Sequence, residues 1–472
     1  MNLIRGAKIR GSSMIISIYL NKYLLGLSSV RFEPLSLTAD FRNCLAILEQ
    51  TDDSYFITGK AGTGKSTLLQ LFKSTSKKKL AVLAPTGIAA LNVRGQTIHS
   101  FFGFPPFPLQ KKQIHRVPNH RLYEKLETLI IDEISMVRAD MLDQIDYFLR
   151  INRGVHEPFG GVQMIFFGDL YQLPPVLTSD SERFYIDQLY ETPYFYSSHV
   201  FQDAFEIKII ELHHVYRQEE YQFIQLLDKV RTRNIDQDDL DEINQRAYTN
   251  NLESLSSEYM ITLSTTNAIA DRINVERINA LDHPLFSFHA EIEGDFSKNS
   301  YPTEPILLLK QDAQVMFVRN DPEKEFVNGS IGRVIYLDQS CIRIELDNYG
   351  QSRVIELKTV EWHNLKYKLN EHQELEAEIV GTFRQYPIKL AWAITIHKSQ
   401  GKTFDRINID LGRGAFEFGQ TYVALSRCRT LEGVMLSRPL RAGDILVDER
   451  IHEFYEGRKK VSLSMFKPWL NQ

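Results

Sequence analysis

Phe56 to Leu69 reads FITGKAGTGKSTLL. Gly59, Gly64, Lys65 and Ser66 fill the spacing G-x-x-x-x-G-K-S/T between an apolar strand-like run, YFIT, and a helical run, STLLQLF. Glycines let successive backbone amides turn inward on phosphate oxygens, and the start of the helix adds its partial positive charge. Lys65 reaches the outer phosphates and Ser66 supplies a magnesium ligand, while Ala61, Gly62, Thr63 and Thr67 complete the cradle. Strand, loop and helix in that order predict a parallel α/β layer that binds ATP with magnesium, not a bare glycine-rich turn.

Hydrolysis needs an acidic pair at a second strand end. TLIIDEISM, residues 128–136, provides it, with Asp132 and Glu133 following an apolar strand at the edge where open α/β sheets place ligands. Asp132 would hold magnesium, and Glu133 would orient or deprotonate the attacking water. A third strand, in VQMIFFGDLYQLPPV, ends at Asp169 and is followed by Gln172, whose amide can report the γ-phosphate.

Bulk properties set the frame around these motifs. A chain of 472 residues exceeds one hydrophobic core and predicts two to four domains. With 43% hydrophobic and 24% charged residues, neither wholesale disorder nor a membrane bundle is expected. The formal net charge of −5 does not advertise nucleic acid, yet a basic groove can be offset by acidic outer faces. Cys44, Cys341 and Cys428 lie far apart with no metal spacing, which points to a reducing, cytoplasmic compartment. The apolar run near Met14 to Leu27 is broken by Asn21 and Lys22 and is too short to span a bilayer, so residues 1–37 read as an extension of unknown role.

Punctuation marks two insertions. Residues 102–121, FGFPPFPLQKKQIHRVPNHR, join four prolines to a basic run and read as a small inserted subdomain. Its Lys111, Lys112, His115, Arg116, His120 and Arg121 suit either a solvated loop or a duplex-facing wedge. Residues 314–357 alternate short β-rich runs with turn signals and predict a small antiparallel barrel or sheet.

GKAGTGKST, APTGIAALNVRGQTIHSFFG, LIIDEISMV, FGDLYQLPPV, VYRQ, LAWAITIHKSQGKTFD and TYVALSRCRT occur in this order. Over about residues 38–440 the chain thereby resembles the Pif-one type DNA helicases, a RecD-like branch of superfamily 1B. The resemblance implies an α/β fold of two RecA-like P-loop domains with ATP between them. The first would span 38–200 with a wedge at about 104–121, and the second 201–440 with an SH3-like β-barrel at about 316–382, leaving 441–472 as a C-terminal segment. It assigns arginine fingers to Arg217 and Arg427, places Gly401 and Lys402 near the nucleotide, and gives DNA contacts to Pro85, Thr86, Gly87, His99, Ser100, Phe101, His397, Lys398 and Ser399.

The implied activity is ATP-driven 5′ to 3′ movement on single-stranded DNA by a monomeric motor, opening single/double-strand junctions, with family associations to repair, recombination and telomere maintenance. A translocase without strand separation, an RNA helicase and a nucleotide-binding module without turnover are the competing readings. One departure stands out: many relatives carry Glu-Gln upstream of the phosphate loop, whereas LSLTADFRNCLAIL has Asp40-Phe41 there. Without that amide, looser selectivity for the base is expected.

Overall fold

The computed structural model describes residues 38–105, 109–177, 179–203, 205–218, 220–248, 259–323, 325–348, 351–372, 374–458 and 460–461. The N-terminal extension, the 106–108 part of the expected wedge and the end of the C-terminal segment lie outside them. Among the described residues no helix is long and apolar enough to cross a membrane.

Six short strands build the first sheet: β1 (Tyr55–Gly59), β2 (Leu80–Ala84), β3 (Gln96–Thr97), β4 (Thr128–Ile131), β5 (Gln163–Phe167) and β6 (Lys208–Leu212). Their order is β3-β2-β4-β5-β1-β6, and every pair is parallel. Strands β1, β4 and β5 are mostly apolar and wholly buried, as parallel strands covered on both faces are. The helices Ala39–Gln50 and Lys65–Thr75 cover one face with Phe41, Ile47, Leu68 and Phe72, and the helix Ala139–Arg153 covers the other with Leu142, Ile145 and Leu149. The phosphate loop, Asp132 and Asp169 leave β1, β4 and β5 at one shared edge of this sheet.

The expected boundary at 200/201 is displaced. Strand β6 pairs with β1 from Tyr55 with Lys208 to Gly59 with Leu212, so the first domain extends to Leu212. KIIEL carries no signal of which sheet it joins; the open flank of β1 decides it. The C-terminal segment also returns to this domain. Its helix Arg450–Glu456 buries Ile451 and Phe454 among Phe195 and Phe201, and Val461 N–H donates to Ile209 O at 2.8 Å beside β6.

The second domain has a four-stranded parallel sheet, ordered Ala393–Thr395, Ile261–Ser264, Ile407–Asp410 and Val434–Leu436. Between the helix Asn267–Asn279 and Ala393–Thr395, the chain is antiparallel β structure. A five-stranded sheet runs from Gln351–Glu356 at one edge to Ile388–Leu390 at the other. A long hairpin, Val360–Leu369 with Leu375–Gln385, stands beside it. This insertion is wider than the expected 316–382, because Phe286–His289, Glu291–Gly294 and Ile388–Leu390 supply strands to it. The hairpin reaches the first domain, where the Tyr367 hydroxyl accepts from Val82 N–H at 3.1 Å.

At the base of the expected wedge, Phe104 packs with Phe102, Tyr123 and Phe148 of the flanking helices in a buried aromatic cluster that anchors the segment. Lys111, Lys112, His115 and Arg121 are exposed, while exposed Arg116 pairs with Glu124 at 3.0 Å.

Candidate nucleotide cleft and strand-binding surface

A cleft of about 1390 Å³ opens along the phosphate loop and is closed on its far side by Gly401, Arg427 and Arg429. Gly62 and Gly64 both adopt φ of +82°, which only glycine takes without strain. A side chain would collide at each: a Cβ on Gly62 would lie 2.5 Å from Arg217 Cβ, and one on Gly64 would lie 2.8 Å from the Phe41 ring. Lys65 Nζ donates to the carbonyls of Gly59 and Lys60 at 2.6 and 3.0 Å, which seats the ammonium over the loop. Burial lowers its pKa, and Asp169 and then Glu133 oppose that shift. Tyr422 of the second domain accepts from Ala61 N–H at 2.9 Å, joining the loop to the opposite wall.

Asp132 is buried at the end of β4 and its backbone N–H is bonded to Leu83 O at 2.9 Å. Burial, then the charge of Glu133, pushes its carboxyl well above the usual range. Glu133 sits at φ of +50°, a left-handed conformation that costs a non-glycine residue about 1–3 kcal/mol. That turn aims its carboxylate at the cleft, where it accepts from Gln400 Nε2 at 3.0 Å. Gln400 also donates to Gln172 Oε1 at 3.3 Å, and Gln172 Nε2 donates to Asp169 Oδ2 at 3.3 Å. The expected water-activating and phosphate-sensing groups are thus one hydrogen-bonded chain spanning both domains.

Arg427 is 1% exposed and donates to Val423 O at 2.9 Å, Ser426 Oγ at 2.8 Å and Lys402 O at 3.4 Å. Arg217 donates to Ser426 O at 3.0 Å. It leaves β6 on the linker that packs on the phosphate loop, with Tyr216 N–H bonded to Gly62 O at 2.9 Å. Among the described residues neither arginine has a carboxylate partner, and both line the cleft. Burial lowers both, Arg427 to about 10 and Arg217, which also feels Arg427, to about 9. Two desolvated guanidinium groups facing one another call for a polyanion between them.

Ser66 and Thr67 are exposed at the start of the helix Lys65–Thr75, with Asp132 buried at the end of β4, one strand removed from β1. One hydroxyl and one carboxylate fit a magnesium ion whose remaining ligands are phosphate oxygens and water. Gly401 lines the cleft, but Lys402 does not face it: its Nζ donates to Asn328 Oδ1 of the insertion at 3.0 Å.

The expected strand contacts divide. Thr86 and Ser100 are exposed, and Pro85, Gly87 and His99 are half-buried. Lys398 is exposed on the second domain, and His397 beside it pairs with Glu417 at 2.9 Å. Phe101 is not a surface contact: it is 5% exposed and packs edge-on against Phe102, Tyr123 and Tyr367. Ser399 is fully buried and its hydroxyl donates to Ile396 O at 2.6 Å, which removes it from the surface as well. An aromatic inside a short helix and a serine one residue past a basic pair face inward here for want of any other filling of those core positions.

Comparison with known proteins identifies the family that shares this fold. The family model of the PIF1-like helicases matches residues 41–241. The crystal structure of Bacteroides sp Pif1 in complex with ADP-AlF4 superposes with a TM-score of 0.81 at 37% identity, covering 90% of this chain and 97% of that one. The chain belongs to the PIF1-like helicase family. Bacteroides Pif1 bound to ssDNA is similar at 37% identity and a TM-score of 0.64, covering 90% of this chain and 97% of that chain. The ATP-dependent DNA helicase RRM3 of Saccharomyces cerevisiae is 28% identical over 90% of this chain and 68% of its own length. Against its eukaryotic PIF1-like relatives the chain spans 58% to 68% of their length.

Where the resemblance leads to the expectation of an upstream Glu-Gln, Phe41 is buried against Gly64 and meets the Tyr216 ring edge-on at 6.1 Å. Three residues that hold cleft groups in place escaped the sequence reading: Gln400, Tyr422, and Arg231, which pairs with Asp169 at 2.9 Å. Gln400 stands inside the motif LAWAITIHKSQGKTFD, next to residues assigned to DNA, and Tyr422 likewise sits inside TYVALSRCRT. Arg231 closes a helix of ordinary amphipathic pattern, where a basic last turn signals nothing beyond the helix dipole.

Proposed function

We propose that this member of the PIF1-like family is an ATP-dependent DNA helicase that moves 5′ to 3′ on single-stranded DNA and opens duplex ahead of it. The observation that carries the reading is the pair of guanidinium groups, buried Arg427 and half-buried Arg217, which line the cleft with the Lys65 loop and form no ion pair with a carboxylate among the described residues. Such cations match the charge that builds on phosphoryl oxygens during transfer. A magnesium ion held by Ser66 and Asp132 would polarise the phosphates. Glu133, fixed by Gln400, would orient the attacking water and take its proton, and Gln172 would bond the γ-phosphate.

Closure around the triphosphate would draw the second domain, through Tyr422, Gln400 and Arg427, onto the first, and product release would relax it. Thr86 and Ser100 on one domain and Lys398 on the other would alternate their grip on the strand, phosphate contacts that position without reading sequence. The basic segment Lys111–Arg121 would meet the duplex. Names of relatives as DNA helicases and a relative's ssDNA complex support DNA as the track.

Strand separation on duplexes with a 5′ or a 3′ single-stranded tail tests the reading, with Lys65→Ala as control. Opening of the 5′-tailed duplex alone, lost in the control, is expected. Hydrolysis stimulated by single strands with neither duplex opened would overturn the unwinding claim in favour of a translocase, and turnover stimulated only by RNA would overturn the choice of track.

A further inference from the structure

Asp169 and Arg231 form a buried ion pair between two domains. Asp169 stands two residues past β5 of the first sheet, whereas Arg231 lies on the helix Tyr221–Thr232, whose Phe223, Leu226, Leu227 and Val230 pack into the core of the second domain. The side chains are 6% and 0% exposed for Arg231 and Asp169, with Nη2 to Oδ1 at 2.9 Å and Nε to Oδ2 at 3.4 Å. The guanidinium lies over the Tyr171 ring at 4.1 Å from its centre.

The carboxylate is saturated in a particular way. Oδ1 also accepts from Tyr171 N–H at 3.2 Å, and Oδ2 also accepts from the Gln172 side-chain amide at 3.3 Å. The amide that would sense the γ-phosphate therefore has its orientation set by an acid that Arg231 holds in place. Burial alone would raise the Asp169 pKa, but Arg231 and Lys65 more than offset it and keep the group ionised. Asp169 is in turn the largest charge opposing the effect of burial on Lys65.

We propose that Arg231 is a positioning residue for ATP hydrolysis, reaching across the domain boundary to fix Asp169 and, through it, Gln172. This rests on the hydrolytic reading of the cleft but adds to it a dependence of the sensor on how the helix Tyr221–Thr232 is seated. Removing one partner alone leaves an uncompensated buried charge, whereas replacing both with neutral groups is commonly close to neutral for stability. That asymmetry separates positioning from architecture.

The test uses the full chain as wild type, Arg231→Lys, Arg231→Met, and the double variant Arg231→Met with Asp169→Asn. Thermal unfolding, binding of a fluorescent ADP, and kcat and KM for ATP with and without a thymidine oligonucleotide are measured on each. Fluorescent ADP lacks the γ-phosphate that Gln172 would meet, so in the double variant its affinity, weakened only through Lys65, should fall by a smaller factor than kcat does. Its kcat should fall about 10- to 100-fold, the size expected when a reacting geometry loosens. Arg231→Lys should recover part of that loss.

A folded double variant with wild-type kcat overturns the proposal, as does a double variant that unfolds as readily as Arg231→Met. The wild-type arm separates this from the helicase reading. If it hydrolyses ATP without stimulation by the oligonucleotide, the helicase reading fails while the comparison of kcat values still decides the role of Arg231.

Discussion

At the scale of single residues, the cleft depends on charges whose compensation is incomplete until a triphosphate arrives. Arg217→Ala should lower kcat about 10³-fold or more while weakening nucleotide binding far less, since an arginine finger acts mainly on transferring charge. Steady-state hydrolysis together with ADP affinity checks it, and equal losses in both would instead assign Arg217 to ground-state binding. Lys389 gives a prediction in pH. Burial, then Lys402 and Lys398, lowers its ammonium from 10.5 to about 7, with only Glu304 opposing. Below about pH 7 the folded chain carries this charge at full cost. Between there and 10.5 the unfolded chain keeps a proton that the folded chain has shed, so stability rises with pH across that window. Lys389→Met should therefore raise the unfolding temperature most near neutral pH, and the gain should shrink as pH approaches 10.5. A gain that grew with pH would contradict this origin. Lys65, Asp132 and Glu133 stood out in the sequence as a phosphate-loop lysine and a strand-end acidic pair, whereas Arg217 and Arg427 entered only through the family motifs. Phe101 and Ser399 misled because a motif position fixes a residue type and not the direction of its side chain.

At the scale of elements, the helix Ala39–Gln50 shapes the wall where a nucleobase would rest. Thr38 caps it by accepting from Phe41 N–H at 3.4 Å, which turns the Phe41 ring inward against Gly64. A buried ring has no donor or acceptor for the edge of a base, and Tyr216, 44% exposed, offers only a face. Stacking is tolerant of base identity because every base has a π-face. ATP and GTP should accordingly be hydrolysed at rates within about a few-fold, and Phe41→Gln should shift preference toward adenine, since a site that bonds a base edge rejects bases that cannot pair with it. Competition kinetics with the two nucleotides measures this; a strong ATP preference in the wild type would place base recognition elsewhere. Element types were legible wherever apolar runs met turn residues, as in β1, β4 and β5. Which sheet a short strand joins was not, because β6 and the outer strands of the insertion are specified by partners far away in the chain.

At the scale of the whole molecule, the chain crosses to the second domain after Leu212 and comes back at its end. The returning helix Arg450–Glu456 lies behind the phosphate loop. Tyr455 stacks on Tyr171 at 5.8 Å and its hydroxyl lies 3.0 Å from Thr58 Oγ, one residue before Gly59. Phe454 stacks on Tyr196 at 4.5 Å and meets Phe195 edge-on. None of this was visible in sequence, where residues 441–472 show no motif and the contacts bridge more than 250 positions. The first domain is thus completed by residues far along the chain from its own sheet, and its stability should depend on them. Phe454→Ala should cost about 3–5 kcal/mol, the usual price of emptying a buried aromatic site. Tyr455→Phe, which keeps the stack and loses one hydrogen bond, should cost about 0.5–1.5 kcal/mol. Because the core of the second domain contains neither residue, the loss should fall on the first domain. Hydrogen exchange read strand by strand distinguishes the cases: faster exchange in β1 and β5, with Ile261–Ser264 and Ile407–Asp410 unchanged, is expected. Equal acceleration in both sheets would mean that the two domains unfold as one unit, coupled through Arg231 and Tyr422 more tightly than the separate cores suggest.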